Sequence, residues 1–293
     1  MSCPPPCLEI LIKWYFGQRL PRWMMSATVV PLGSLRILMM CDLACCTALP
    51  NGLCKLPCLE ILQINQAPAI KRVGHEFMCC SRSQQVAAMF PRLRELMFIG
   101  MVELEEWEWE ERLHAMPILE ILKLKRCKLR CVPPGLAFHA RALNELRIYD
   151  VMHLSYLENF RSVVHLEVVR NIDLGTIRNL PKLQKLVIVK CPKMKVLEGV
   201  PALQRLELED YNMETVPRYL QYVKPRSLLL NCSVSLLASI AAWKSSPEWD
   251  KFNHITKPRK WYVLYTREPF RFETNTSRSA IVQTYLVRSL RIW

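Results

Sequence analysis

The sequence predicts an α/β solenoid: a curved horseshoe with a parallel sheet on its concave face and an irregular or short-helical convex side. Three observations support this fold. The pattern L-x-x-L-x-L/I-x-x-C/N recurs along most of the 293 residues, usually shortly after a proline. Its copies are 20 to 34 residues apart, which is the length of one supersecondary unit. Within each copy, apolar and polar residues alternate as in a half-buried strand.

The clearest copies of the pattern begin at Leu119, Leu183 and Leu203. In the first of them, alternation predicts that Leu122 and Leu124 point inward and that Lys123 points outward. This spacing is the signature of a leucine-rich repeat. Because a repeat can bury its apolar side only against its neighbours, we expect the strands to stack into one parallel sheet.

We identify nine repeats by the first leucine-type position of each. They start at Leu8, Leu35, Leu59, Leu93, Leu119, Leu143, Val163, Leu183 and Leu203. A degenerate last strand follows near Leu228–Leu230. The last copies are 20 residues apart, whereas earlier ones carry insertions at Asn65–Phe90 and at residues 102–113. We therefore expect a leucine-rich-repeat solenoid over residues 1–232.

The two insertions differ in character. The first, from Asn65 to Phe90, is expected to form a loop with a short helix. The second contains six glutamates and two tryptophans within residues 102–113 and could be an acidic-aromatic docking site. The alternative, which we prefer, is a solvated edge whose Trp107 and Trp109 cap the core.

The C-terminal part of the chain has a different pattern and is expected to shield the end of the solenoid from water. Ser235–Trp243 suits a helix. Ser246 and Pro247 suit the N-cap and first position of a second helix that ends near Ile255. Alternation predicts a strand over Trp261–Tyr265. The expected division is a helical and strand cap over 233–273 and a tail over 274–293, for which order and disorder are left open.

Composition and motifs exclude several classes of function. The net charge of +14 favours anionic surfaces in general, but no helix-turn-helix, zinc-finger or RNA-binding motif accompanies it, so no specific nucleic-acid partner is expected. The eight glycines are too far apart for a P-loop or a dinucleotide-binding fingerprint. The longest apolar run, around Leu228–Trp243, is interrupted by polar residues, so no membrane span is expected.

The thirteen cysteines include no Cys-x-x-Cys pair, and Cys127 and Cys191 occupy the last position of their repeat motifs. We interpret them as reduced, small apolar residues of a cytoplasmic protein rather than as disulfides or zinc ligands. The six histidines are scattered and no Gly-x-Ser-x-Gly motif is present, so we expect no enzyme, no cofactor, no catalytic residue and no metal. A cysteine–histidine pair that folding brings together is left open.

The exposed positions of the predicted strands are the candidate partner-binding residues, because they line the concave face of a solenoid. Mixed charge with an occasional aromatic suits protein recognition, in which complementary charges give specificity. The simpler alternative is that each is a solvated strand residue. The candidates are Lys123, Lys125, Arg126, Arg147, Tyr149, His165, Glu167, Arg170, Lys185, Lys190, Arg205, Glu207 and Glu209.

Several segments carry a resemblance to a known family. They are Met1–Glu9, Phe90–Leu96, Leu104–Trp107, Ala115–Pro117, Leu180–Leu186, Lys190–Lys193 and, most specifically, Ser239–Ile255. Together they resemble the C-terminal leucine-rich-repeat region of plant nucleotide-binding leucine-rich-repeat disease-resistance proteins, particularly those of grasses. The resemblance covers nearly the whole chain, and the last segment is similar to the typical C-terminal end of such receptors.

The resemblance implies non-enzymatic recognition and regulation in plant innate immunity. In that family the repeats hold a nucleotide-binding switch inactive and help to detect a pathogen effector, directly or through a guarded host protein. The implied partner is therefore an effector, a host guardee or a receptor nucleotide-binding domain. This sequence departs from the family because it lacks the nucleotide-binding domain and the signalling coiled coil. The alternatives are a general scaffold, such as a ubiquitin-ligase substrate adaptor, and a non-functional truncated remnant.

Overall fold

The parallel sheet predicted from the repeats is present. The computed structural model describes residues 8–20, 32–50, 52–74, 77, 89–109, 115–241, 248, 251, 260–264 and 290–292. Within these residues twelve strands form the main sheet, and every neighbouring pair in it is parallel except the last. The prediction of a leucine-rich-repeat solenoid is therefore confirmed.

The bounds of the elements follow the repeats. In chain order the strands are β1 (Leu8–Lys13), β2 (Leu35–Cys41), β3 (Ile61–Asn65), β4 (Arg72–Val73), β5 (Glu95–Ile99), β6 (Glu106–Trp107), β7 (Ile121–Cys127), β8 (Glu145–Val151), β9 (Tyr156–Glu158), β10 (His165–Val169), β11 (Thr176–Arg178), β12 (Lys185–Val189), β13 (Val196–Glu198), β14 (Arg205–Glu209), β15 (Ser227–Asn231), β16 (Lys260–Leu264) and β17 (Leu290–Ile292). The helices are α1 (Pro134–His139) and α2 (Val234–Ala241), with 3-10 turns at Leu53–Lys55 and Arg218–Tyr222. The main sheet has the order β1-β2-β3-β5-β7-β8-β10-β12-β14-β15-β16-β17.

The register of the main sheet puts equivalent repeat positions side by side. The register partners in the middle strands are Leu122, Leu146, Leu166, Leu186 and Leu206. Each of these leucines is at most 1% exposed. Because side chains alternate along a strand, the residues between the leucines must face away from the core. The leucine spacing therefore fixes both the stacking and the direction of the candidate residues.

The core continues around each repeat at short intervals. In the repeat that begins at Val163, the buried side chains are Val163, Leu166, Val168, Asn171, Leu174, Ile177 and Leu180. None of them is more than 1% exposed. A buried side chain at every third residue after the strand keeps this segment turning about the same core until the next repeat begins.

A second set of strands lies outside the main sheet. The strands β9, β11 and β13 form a parallel sheet, and β4 pairs with β6 in the same way. Each of these five begins eleven residues after the start of the preceding main strand. The sequence predicted an irregular or short-helical convex side, which α1 and the 3-10 turns supply, but it did not predict these strands. The three-residue spacing of Leu154 and Leu157, or of Leu174 and Ile177, was the available signal.

Left-handed backbone recurs where the main strands end. The residues with φ between 50° and 68° at this position are Trp14, Asp42, Gln66, Gly100, Arg126, Asp150, Arg170 and Lys190. This conformation costs a non-glycine residue ~1–2 kcal/mol. It also lets the backbone N–H of Lys190 donate to the carbonyl of Glu209 at 2.7 Å, and that of Arg170 donate to the carbonyl of Val189 at 2.8 Å. The hydrogen bonds between repeats offset the cost.

The second insertion contributes to the core rather than to an exposed site. Trp107 is 7% exposed and its ring lies 5.2 Å from that of Phe98, measured between centroids. Trp109 is partly buried against the same core. These positions agree with the interpretation that the two tryptophans cap the core. Residues 110–113, and residues 75–76 and 78–88 of the first insertion, for which a loop with a short helix is predicted, lie outside the described residues.

The C-terminal segments are described only in part. The helix predicted over Ser235–Trp243 corresponds to α2, and the predicted strand at Trp261–Tyr265 corresponds to β16, which pairs with β15. The second predicted helix, apart from Glu248 and Lys251, lies outside the described residues. The division into a solenoid, a cap over 233–273 and a tail over 274–293 remains a prediction.

The cysteines at the end of the repeat motif are buried and reduced. Cys127 is 2% exposed and Cys191 is 8% exposed, and both are free thiols. Burial raises the pKa of the Cys127 thiol to about 12 and that of the Cys191 thiol to about 11. Their sulfur atoms lie 3.6 Å from the carbonyl of Lys125 and 3.4 Å from that of Val189, respectively. These thiols therefore act as small core residues.

The buried thiols should make the fold sensitive to alkaline pH. A cysteine in an unfolded chain has a pKa of ~8.5, so the folded state keeps protons that the unfolded state releases above that pH. Their contribution to stability is then full below about pH 8.5 and is lost as the pH rises. Urea unfolding at about pH 7.5 and about pH 10 should show the loss, which is ~1.4 kcal/mol per thiol for each pH unit above about pH 8.5.

The matched control removes the thiols but keeps the core filled. Val151 is the register partner of Cys127, so valine already fills this position in the neighbouring strand. The double variant Cys127→Val and Cys191→Val should lose stability less steeply with pH than the unsubstituted protein. Equal slopes for the two proteins would contradict a role for these thiols.

Candidate partner-binding face

The predicted partner-binding residues lie on one surface of the main sheet. The strands β7, β8, β10, β12 and β14 align their outward-facing residues in three columns. The first column contains Ile121, Glu145, His165, Lys185 and Arg205. The second contains Lys123, Arg147, Glu167, Val187 and Glu207, and the third contains Lys125, Tyr149, Val169, Val189 and Glu209. Arg126, Arg170 and Lys190 follow at the edge, so all thirteen predicted residues share the concave face.

Tyr149 is the centre of one cluster on this face. Its hydroxyl donates a hydrogen bond to Oε2 of Glu167 at 2.7 Å, and Nζ of Lys123 lies 5.7 Å from its ring centroid. Burial raises the pKa of Tyr149, and the hydrogen bond to the Glu167 carboxylate raises it further, so the hydroxyl stays protonated. Arg147 pairs with Glu145 at 2.7 Å beside this ring. The cluster holds an aromatic ring between charged groups.

Glu207 is the centre of a second cluster. Its Oε1 lies 2.6 Å from Nε of Arg205 and 3.4 Å from Nζ of Lys185. The carboxylate is mostly buried, whereas the side chains of Arg205 and Lys185 are 55% and 44% exposed. The two cations therefore remain available to a partner while Glu207 holds them in place.

The edge of the face is also organised by pairs across neighbouring repeats. Nζ of Lys190 lies 5.5 Å from the ring centroid of Tyr211, whose hydroxyl donates to Oε1 of Glu209 at 3.1 Å. Arg170 donates to Asp150 from Nη2 at 2.6 Å, and this hydrogen bond lowers the pKa of the Asp150 carboxyl. Tyr211 was not among the predicted residues, because it occupies the motif position that is usually buried.

Three of the predicted basic residues have neither an ion pair nor a cation–π contact within the described part of the chain. Lys125, Arg126 and His165 form no ion pair with a described acidic side chain at 4.0 Å or less, and Lys123 and Lys190 have only their cation–π contacts. These residues therefore differ from Arg147, Arg170, Lys185 and Arg205, each of which is held by a carboxylate. The concave face has its unpaired cations mainly on β7.

The concave face extends further toward the N-terminus than the predicted residues do. The outward-facing residues of β2, β3 and β5 are Ile37, Met39, Cys41, Ile61, Gln63, Asn65, Glu95, Met97 and Ile99. Apart from Glu95 they are uncharged, and all are half-buried. The alternation that identified the strands also marked these positions. The thirteen predicted residues do not include these positions, because the predicted residues are charged or aromatic and these are mainly apolar or uncharged.

The first repeats match a known family of repeats. Residues 3–67 match the family model described as R13L1/DRL21 leucine-rich repeats. The chain has no match among curated proteins. The matched range includes the first three repeat starts identified from the sequence, so it supports a leucine-rich-repeat region independently of the sheet. Such solenoids are typically non-catalytic scaffolds for binding other proteins.

A polar groove at the side of the solenoid is lined by both a cysteine and a histidine. This cavity of about 650 Å³ is lined by Glu105, Arg130, Cys131, His153, Ser155, Tyr156, Asp173 and Lys193. The Cys131 thiol interacts with the Tyr156 hydroxyl, and Asp173 accepts hydrogen bonds from Lys193 at 2.7 Å and from the backbone N–H of His153 at 3.1 Å. These contacts organise the groove.

A second cavity of about 650 Å³ opens where the repeat that begins at Leu203 departs from the 20-residue length. Here Cys191 and Met194 are each 8% exposed, whereas Asn171 and Leu174, which hold the same positions one repeat earlier, are 0% exposed. The greater exposure of Cys191 and Met194 has a local cause. After β13, the 3-10 turn at Arg218–Tyr222 takes the place of a further short strand that would continue the second sheet.

Two further classes of site are absent from the described residues. Among the described residues, no helix is long and apolar enough to cross a membrane. In the same residues, no group of three or more histidine, cysteine, aspartate or glutamate side chains could hold a metal ion.

Proposed function

We propose that this chain is a non-enzymatic protein-recognition and regulatory domain of the plant disease-resistance type, acting in the cytoplasm. Its partner is a pathogen effector, a guarded host protein or the nucleotide-binding domain of a receptor. The observation that carries the proposal is the in-register arrangement of the candidate residues in three columns across five adjacent strands. A macromolecule lying on the sheet can contact all of them at once.

The size of the face supports a protein as the partner. The strands from β1 to β15 in the main sheet are separated by nine spacings. At ~4.8 Å per spacing and ~3.3 Å per residue along five-residue strands, the face measures roughly 43 by 17 Å, or about 700 Å². A standard protein interface buries ~800 Å² on each partner, so the face is close to the size of one such interface.

Two further observations support the choice of partner class. The match of residues 3–67 to R13L1/DRL21 repeats favours the disease-resistance type over a general scaffold. The paired charges around Tyr149 and Glu207 are fixed in position, which reduces the entropy lost when a partner binds. Recognition by prearranged charges gives specificity, as a sensing domain requires.

The proposal predicts that partner capture depends on the concave cations. The double variant Lys185→Glu and Arg205→Glu should lose a partner that the full chain captures from infected or uninfected plant tissue, because both charges next to Glu207 are reversed. The measurement is affinity capture followed by mass spectrometry. The control variant Lys182→Glu and Lys195→Glu makes the same charge change at exposed positions outside the main sheet, and it should capture the partner normally.

The identity of the captured protein separates the candidate functions. An intact nucleotide-binding receptor, an effector or a host protein lost only from the concave variant supports the proposal. Ubiquitin-ligase subunits captured in the same way would favour the adaptor. A partner retained equally by both variants would contradict recognition through the concave face, and ATP turnover by the pure chain would contradict a non-enzymatic role.

A further inference from the structure

We infer that the concave face binds a polypeptide segment in which apolar side chains are followed by carboxylates, and that the segment crosses β2 to β7. The inference rests on the proposed function and names the chemistry of the partner at the same face. It depends on the contrast between β2, β3 and β5, whose outward-facing residues are uncharged apart from Glu95, and β7, whose cations form no ion pair at 4.0 Å or less with a described acidic side chain.

The apolar residues of the surface are spread over four strands, with uncharged polar residues and Glu95 between them. Register places Met39 beside Gln63, which lies beside Met97, and it places Ile37 beside Ile61. On β7 the register partners of Met97 and Ile99 are Lys123 and Lys125, and Ile121 is the partner of Glu95. These side chains face outward and are half-buried, so a partner that covers them removes apolar surface from water. The apolar residues in contact with the segment are Ile37, Met39, Ile61, Met97, Ile99 and Ile121.

The basic part of the surface begins on β7, beside the apolar residues of β5. Lys125 is the register partner of Ile99, and Arg126 follows it with a left-handed backbone at φ 54°. Neither cation forms an ion pair at 4.0 Å or less in the described part of the chain. The pKa of the Asp150 carboxyl is lowered by its hydrogen bond to Arg170 and further by the charges of Lys125 and Arg126. By contrast, arginines near the start of neighbouring strands do form ion pairs. Nη2 of Arg36 lies 2.6 Å from Oε2 of Glu60, and Nη1 of Arg94 lies 3.4 Å from Oε1 of Glu120. The two unpaired cations beside apolar side chains complement carboxylates beside apolar side chains.

The spacing of the strands gives the spacing expected in the partner. From Met39 on β2 to Lys125 on β7 there are three spacings of ~4.8 Å, or roughly 14 Å. An extended chain advances ~3.3 Å per residue, so its apolar and acidic side chains should be about four residues apart. A nucleic acid would supply the negative charge but not the apolar side chains, which favours a polypeptide.

The test is selection of a random peptide library on the full chain. The selected pool should be enriched in apolar residues with aspartate or glutamate about four positions away. Peptides synthesised from the pool should bind at least about tenfold more weakly to the variant Lys125→Glu and Arg126→Glu, measured by fluorescence anisotropy. They should also bind more weakly to Met97→Gln with Ile121→Gln, and normally to the control Lys182→Glu with Lys195→Glu. Circular dichroism checks that each variant is folded.

Failure of this inference is distinguishable from failure of the proposed function. The inference would be overturned by a selected pool that is not enriched in acidic residues and whose peptides lose binding only to the variant Lys185→Glu and Arg205→Glu. That result would still support the proposed function, because binding would depend on the concave face. Binding that is lost with the Lys125 and Arg126 variant but not with the Met97 and Ile121 variant would indicate a site for anions in general and would also overturn the inference. A selection with no binder that depends on any concave residue would contradict both.

Discussion

Replacing Asn171 by alanine should lower the free energy of unfolding by about 3–5 kcal/mol. Asn171 is fully buried, and its Nδ2 donates to the carbonyl of Ile148 at 2.9 Å and to that of Val169 at 3.2 Å. Its Oδ1 accepts the backbone N–H of Val151 at 2.9 Å. Alanine would leave a buried N–H and two carbonyls without these partners, and each such group costs ~1–3 kcal/mol.

Urea unfolding of the variant measures the effect. Asn212→Ala is the matched control, because the Asn212 side chain is exposed and only its backbone N–H makes a hydrogen bond. Asn171→Cys should lose less than Asn171→Ala, since Cys191 occupies the same position in the next repeat and its thiol lies 3.4 Å from the carbonyl of Val189. A loss for Asn171→Ala no larger than for the control would show that the hydrogen bonds do not stabilise the fold.

Replacing Leu186 by alanine should cost ~2–5 kcal/mol, because it opens a cavity in the core. Leu186 is fully buried on β12, between its register partners Leu166 and Leu206. Each repeat of a solenoid contacts mainly its neighbours, so the damage should be local. Amide hydrogen exchange should therefore become faster in β10, β12 and β14, whereas β2 and β3 should be unaffected.

The control for this substitution lies one residue further along the strand. Val187 faces outward, so Val187→Ala should change the free energy of unfolding by less than about 1 kcal/mol. Unchanged protection of the β10 and β14 amides in Leu186→Ala would contradict the stacked core.

The recurring leucines were sufficient to predict the main sheet. Alternation around Leu122 and Leu186 identified the strands and separated inward-facing from outward-facing residues, and the thirteen candidates all lie on the predicted face. This part is predictable because it depends on local spacing and on the two-residue period of a strand. Binding by these residues remains a prediction.

Other features depended on contacts between residues far apart in sequence. The burial of Trp107, which the preferred interpretation of the insertion predicted, depends on packing against Phe98 and on pairing of β6 with β4, and its acidic surroundings specify neither. The pairing of Tyr149 with Glu167 likewise requires two strands to be in register. In the sequence the charged residues of the strands look alike. Which of them form ion pairs and which do not is decided only when the repeats stack.

The sequence by itself determined the repeat, its strands and the direction of their side chains, since a leucine-rich repeat contains the spacing that folds it. Only the tertiary structure decided which cations are held by carboxylates and which are not. It also placed the uncharged residues of β2, β3 and β5 beside Lys125 and Arg126. The physical reason is that charge pairing acts over a few ångströms between neighbouring strands, whereas partners such as Arg170 and Asp150, or Lys185 and Glu207, are 20 and 22 positions apart along the chain.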